Sequence, residues 1–290
     1  MEKWLVLIAV VLVLCIAEWI REIKTFKITH YHITSEKLSG LAKEQTVLFL
    51  TDLHSNRYGK ENERLLEAVK RQHPDLILIG GDMLVGLKGA STKVAEDFVG
   101  ELAKTCPVYY ANGNHEFRMK IYPETYGTNF LSYKESLQQK GVHFLENEWA
   151  DLMWGDVPIR ICGLEIPAKA YKKIGKTSFS VQEINASLGE ADGFSYQILL
   201  AHNPMYMDTY LKWGADLILS GHLHGGVVRI PGFRGVISPQ FRLFPKYSGE
   251  LRKVGDTTIV VSKGLGVHTI PIRFLNPAEL VVLHIGENKQ

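Results

Sequence analysis

The sequence predicts an α/β fold built on buried sheets. Apolar runs alternate with amphipathic segments through the first half of the chain. The second half is richer in short β-branched runs, and several runs stop abruptly at glycine or polar residues, as strands do on leaving a sheet. At 290 residues, the chain can bury a core without disulfide staples. Its formal net charge of +2 lacks the concentrated basic excess of a nucleic-acid-binding domain, so a nucleic-acid partner is not expected.

The first element is "WLVLIAVVLVLCIAEWI", Trp4 to Ile20, in which Glu18 is the only charge. As a helix it would span about 25 Å, near the lower limit for crossing a bilayer. Trp4 and Trp19 stand near its ends, where aromatic belts meet lipid headgroups. No small-residue cleavage site follows, and Leu14 before Cys15 does not fit a lipoprotein box. Residues 1–22 are therefore expected to be an uncleaved, single-pass transmembrane anchor. Arg21, Lys24, Lys27 and Lys37 follow it and only Lys3 and the amino terminus precede it, so the large C-terminal part is expected in the cytoplasm. Cys15, Cys106 and Cys162 are widely spaced, with no C-x-x-C pair, and are expected to be free thiols.

Residues 23–45 form a polar connector with an edge strand in "TFKITHYHIT". Residues 46–290 are expected to form one catalytic domain. Within it, "TVLFL" (46–50) precedes a helix in 60–72, where Leu65, Leu66 and Val69 share a face. "DLILIG" (75–80) precedes a helix in 92–104, and "VYY" (108–110) precedes one in 130–140. Later strands are expected at 159–164, 196–201, 215–220, 257–262 and 279–285. Residues 227–253 have no helical period, and a loop of that length is often functional.

The strand exits share one chemistry. "VLFLTDLH" ends in Asp52 and His54, "LILIGGD" in Asp82, and "VYYANGNHE" in Asn114 and His115. "ILLAHN" ends in His202, and "LILSGHLHGG" in His222 and His224. Ligands of open α/β sheets bind in the crevice beyond the carboxyl ends of strands. Residues two apart on an extended segment face one side, so Asp52 can converge with His54, and His222 with His224. Carboxylates, an amide oxygen and imidazoles suit Mn, Fe, Zn or Ni. Without a cation, Asp52 and Asp82 would repel each other in such a crevice. His30 and His32 also stand two apart, but neither a buried run nor a glycine flanks them, and they read as a solvated strand face. His73, His143, His268 and His284 are assigned no role.

The ordered blocks D-x-H, G-D, G-N-H-E, H and G-H-x-H resemble those of the calcineurin-like metallophosphoesterase superfamily, over roughly residues 45 to 285. "FPKYSGEL", "VVSKGLG" and "PIRF", with the apolar N-terminus, resemble its small membrane-associated bacterial phosphohydrolases of the YkuE type. The resemblance implies a four-layer α/β/β/α sandwich of two mixed sheets flanked by helices, with two divalent metal ions. One metal would take Asp52, His54 and His224, and the other Asn114, His202 and His222, with Asp82 bridging. His115 would be catalytic rather than a ligand, protonating the leaving group or stabilising the transition state. Leu223 and Val227 replace a threonine and a glutamine common in relatives, which alters pocket polarity but not the ligands. Val85 and "YANGN" lack the tyrosine of purple acid phosphatases and the arginine of serine/threonine protein phosphatases.

The implied reaction is hydrolysis of a phosphoester or phosphoanhydride by a metal-bridging hydroxide. Basic and apolar residues interleave in 227–253, including Arg229, Arg234, Arg242, Lys246, Arg252 and Lys253. Near an anchor, they suit an amphiphilic, lipid-linked phosphate; packing of that loop on the core is the plain alternative. A nuclease or nucleotide phosphodiesterase would use the same centre, and a non-catalytic metal-binding scaffold is the third reading. No protein partner is expected.

Overall fold

The computed structural model describes residues 1–171, 178–226, 228–230, 235–237, 244–267 and 272–287. In chain order, α1 (Glu2–Lys24) is followed by β1 (Phe26–Thr34), with Thr25 alone between them. Next come β2 (Gln45–Leu50), α2 (Glu63–Arg71), β3 (Leu76–Ile79), α3 (Lys93–Leu102), β4 (Val108–Ala111) and α4 (Asn114–Ile121). Then follow α5 (Pro123–Tyr126), α6 (Asn129–Gln139), β5 (Val142–Leu145), β6 (Glu148–Trp154), β7 (Val157–Leu164) and α7 (Val181–Leu188). The chain continues through β8 (Tyr196–Ala201), α8 (Met207–Trp213), β9 (Leu217–Ser220), β10 (Val228–Arg229) and β11 (Gly235–Ile237). The last described strands are β12 (Leu251–Val254), β13 (Thr257–Val261) and β14 (Ala278–Gly286).

Two six-stranded sheets form the body, in the orders β1-β14-β2-β3-β4-β5 and β12-β13-β9-β8-β7-β6. Both are mixed. In the first, β2 to β5 run parallel while β14 opposes β2; in the second, β7, β8, β9 and β13 run parallel, with antiparallel strands at both edges. Side-chain alternation explains the layering. Val47, Phe49, Leu76 and Leu78 meet Ile159, Ile161, Ile198 and Leu200 between the sheets. The intervening residues Leu48, Leu50, Ile77 and Ile79 pack outward against Leu65, Phe98 and Tyr133 of the helices. On the far side, Leu199, Ile218 and Ile259 meet Ile184, Leu188, Tyr210 and Trp213. This is a four-layer α/β/β/α sandwich.

The apolar length of α1 is exposed and Glu22 is its one buried residue, so α1 is no core helix. Its 23 residues, with mean hydropathy 2.4, are long and apolar enough to cross a membrane. β1 lies at a sheet edge beside β14, with His30 and His32 exposed and stacked with His284. All three cysteines are free; Cys162 is buried, and Cys15 and Cys106 are half-buried rather than fully so. The stretch 227–253, expected to lack regular structure, contains the small β10–β11 pair and the start of β12. Val227, Phe233, Arg234, Phe241, Arg242, Leu243 and His268 lie outside the described residues.

Candidate metal centre

The five exits meet in one crevice at the carboxyl ends of β2, β3, β4, β8 and β9. Ligand atoms of Asp52, His54 and His224 all lie within 4.8 Å of one another, as do those of Asp82, His202 and His222. A third such set, His54, Asp82 and His115, joins them. The backbone reaches this arrangement by a route other than the extended one expected. Asp52, His54, Asp82, His222 and His224 adopt left-handed φ values of 54°, 48°, 54°, 69° and 51°. Each such non-glycine residue costs about 1–3 kcal/mol and persists only where its surroundings impose it.

Tight backbone packing imposes it here. Gly81 has φ 89°, and a Cβ there would fall 2.0 Å from the backbone nitrogen of Gly113. A Cβ on Gly113 would in turn fall 2.2 Å from Oδ1 of Asp82. The β3 and β4 exits can approach this closely only through that glycine pair.

Backbone partners orient four of the imidazoles. Nδ1 of His54 donates to the carbonyl of Leu84 (3.3 Å), Nδ1 of His202 to that of Gly80 (2.7 Å), and Nδ1 of His224 to that of Gly266 (3.3 Å). A carbonyl can only accept, so each of these rings keeps a proton on Nδ1 and turns Nε2 toward the centre. Nε2 of His54 then faces Nε2 of His224 at 3.1 Å, and Nε2 of His202 faces Oδ2 of Asp82 at 3.1 Å. With the rings neutral, two acceptors would face each other at both places, which is unfavourable unless a cation lies between them. His115 is wired the other way. The backbone N–H of Gly86 donates to its Nδ1 (2.7 Å), so the neutral ring keeps its proton on Nε2, 3.9 Å from Oδ2 of Asp82.

The electrostatics follow. Burial alone would raise the Asp52 carboxyl, but His224, His202 and His54 pull it below the usual range. Burial likewise opposes ionisation of Asp82, and His202 and His115 overcome it. Burial depresses His202, yet Asp82 and Asp52 raise it to about 10. Burial and the neighbouring His202 lower His222 to about 4, which keeps it neutral as a ligand must be. Oδ1 of Asn114 is buried with no hydrogen-bond partner among the described residues. Carboxylates, inward-facing imidazole nitrogens and an orphaned amide oxygen fit divalent ions of the Mn, Fe, Zn and Ni kind.

Sequence reasoning missed Glu116. Fully buried, it accepts hydrogen bonds from the backbone N–H groups of Asp82 (2.8 Å), Leu84 (3.0 Å) and Gly113 (3.0 Å), and from the Tyr110 hydroxyl (2.9 Å). One carboxylate thus ties the β3 exit to the β4 exit. It stood in the quoted "GNHE" block, but nothing there showed that it points away from the metals. Glu116→Ala is expected to destabilise the fold by about 3–5 kcal/mol, because it leaves three buried N–H groups unpaired. Glu116→Gln, which keeps an acceptor, should lose less, and thermal unfolding of the detergent-solubilised protein would show the difference.

Two sheets facing each other, with metal-competent side chains at five strand ends, define a candidate metal centre. A model of the calcineurin-like phosphoesterase family matches residues 45–226, and the chain belongs to that family. An uncharacterized metallophosphoesterase of Helicobacter pylori (strain ATCC 700392 / 26695) is 30% identical over 87% of this chain. The chain spans only 63% of that relative's length. The phosphodiesterase YaeI of Escherichia coli (strain K12) is 25% identical, over 76% of this chain and 74% of its own. Among solved structures, the phosphopantetheinyl hydrolase PptH of Mycobacterium tuberculosis has a TM-score of 0.47 and 14% identity, covering 76% of this chain and 89% of its own.

Proposed function

We propose that this chain is a dinuclear-metal-dependent phosphoesterase. The observation that carries the reading is the proton placement. His54, His202 and His224 are each held through Nδ1 by a backbone carbonyl with Nε2 turned to the centre, while Nδ1 of His115 accepts the Gly86 N–H and leaves Nε2 as that ring's donor. Asp52, His54 and His224 would hold one cation, and Asn114, His202 and His222 the other, with Asp82 between them. When bound, the pair of cations supplies an activated water and neutralises phosphate oxygens during in-line attack. The chain's own residues do the rest. Asp52 also accepts the backbone N–H of His222 at 3.0 Å, so the first ligand orients the loop that carries the last two. His115 donates from Nε2 to the leaving oxygen, and the Gly86 N–H holds the ring in that tautomer.

α1 would anchor the protein as a single-pass membrane helix, with residues 46–290 as the catalytic domain on the cytoplasmic side, where Arg21, Lys24 and Lys27 favour it. An amphiphilic phosphate is the substrate class this arrangement favours. Ile230, Phe244, Ile272 and Leu275 are exposed apolar residues on segments joined by the Val228–Phe274 bridge and the β10–β11 pair. Next to Leu275, Asn276 bonds the last turn of α1, so this apolar collar lies beside the end of the helix. Among the described residues, three of the interleaved cations are paired with carboxylates. Arg229 pairs with Glu250 at 3.3 Å, Arg252 with the same carboxylate at 3.3 Å, and Lys246 with Asp208 at 3.0 Å. The full chain purified in detergent is expected to bind two equivalents of Mn2+ and to hydrolyse bis-p-nitrophenyl phosphate, with EDTA abolishing both. Metal-free protein inert after Mn2+ addition would overturn the reading.

A further inference from the structure

The last turn of α1 contains a buried carboxylate that an anchor does not need. Glu22 is 1% exposed, although a helix serving only as a tether would leave such a group in water. Its Oε2 accepts the backbone N–H of Asn276 at 3.0 Å, and Arg21 stands 3.7 Å from its other oxygen. Asn276, itself fully buried, turns its side-chain amide the opposite way. Nδ2 donates to the carbonyl of His224 at 2.7 Å and also to that of Gly226, so one amide straddles the turn that carries His224. Gly225 lies beneath it, where a Cβ would fall 2.4 Å from Oδ1 of Asn276. Arg273 braces the same place: it donates to the carbonyl of Asn276 at 3.3 Å and to that of Gly266 at 2.6 Å. Gly266 is the residue whose carbonyl receives Nδ1 of His224.

We propose that Glu22 and Asn276 are positioning residues, through which the last turn of the N-terminal helix latches the 222–226 turn and sets His224 as a ligand. The helix is then a working part of the metal centre as well as an anchor. This rests on the phosphoesterase reading above, in which His224 binds a cation. Groups that orient a metal-bound imidazole typically change metal affinity by about 10–100-fold when removed.

The test is titration of the full chain in detergent micelles with Mn2+, following free Mn2+ by electron paramagnetic resonance. Glu22→Ala and Asn276→Ala are each expected to weaken one of the two sites by about 10–100-fold and leave the other within about threefold. The double variant should be no weaker than the worse single variant, because both act through one contact chain. Glu22→Gln should stay within about threefold of wild type, since its amide oxygen still accepts the Asn276 N–H. If Asn276→Ala fails to fold, the two Glu22 variants decide the question. A folded Glu22→Ala protein that binds both Mn2+ ions like wild type would overturn the latch and leave the phosphoesterase reading standing. Wild-type protein that binds no Mn2+ would instead overturn the phosphoesterase reading, and the latch with it.

Discussion

Asp82→Asn is expected to reduce turnover of bis-p-nitrophenyl phosphate by about 10³-fold or more, roughly 4 kcal/mol of barrier, and to remove at least one of two bound Mn2+ ions. The two oxygens of Asp82 already have separate tasks. Oδ1 accepts the backbone N–H of His115 at 2.8 Å, while Oδ2 faces Nε2 of His202 at 3.1 Å and Nε2 of His54 at 3.9 Å. An asparagine that keeps the His115 bond must direct its NH2 group at the centre, where it has no lone pair to give. An asparagine that flips loses the His115 bond instead. Either way the negative charge shared by the two halves of the site disappears. Metal content measured beside the rate would show which loss dominates, and a variant with full metal and full rate would remove Asp82 from the centre.

His115→Ala should behave differently. A rate loss of about 10²–10³-fold is expected with both Mn2+ ions retained, because Nδ1 is engaged by Gly86 and the neutral ring carries its proton on Nε2. The loss should grow as the leaving group becomes more basic: small for p-nitrophenolate, larger for an alkyl alcohol that needs a proton to depart. Arg118 stands 3.3 Å from Nδ1 and helps hold the ring, so Arg118→Ala provides a milder companion. Loss of metal together with rate in His115→Ala would make His115 a ligand, as its grouping with His54 and Asp82 within 4.8 Å would then allow.

What was legible in the sequence follows from where information is concentrated. Metal-competent side chains at strand exits announce themselves because a buried run ending in Asp or His has few bland explanations, and five such exits occur in order. Alternating apolar runs likewise announced the parallel strands at the centre of each sheet. β6 did not, because "EWADLMW" is an edge strand whose exposed side carries Trp149 and Met153 beside Asp151, so no apolar–polar alternation marks it. α4 was hidden because "NHEFRMKI" begins inside the ligand block and lacks a clear apolar stripe. The left-handed backbone at the ligands was invisible, since side-chain spacing says nothing of φ. Glu116 meets Asp82 and Leu84, and Asn276 meets His224 and Gly226, across more than thirty residues of sequence, and nothing local to either shows which N–H or carbonyl it will meet.

The single residue between helix and sheet has a geometric consequence. Thr25 can extend at most about 3.6 Å, and its hydroxyl is already bonded back to the carbonyl of Arg21 at 2.7 Å. With the helix embedded in a bilayer, the globular body would have no leash on which to swing. The crevice would then stand at one height above the lipid, and for any substrate held in that membrane, encounter would scale with surface density rather than with bulk concentration.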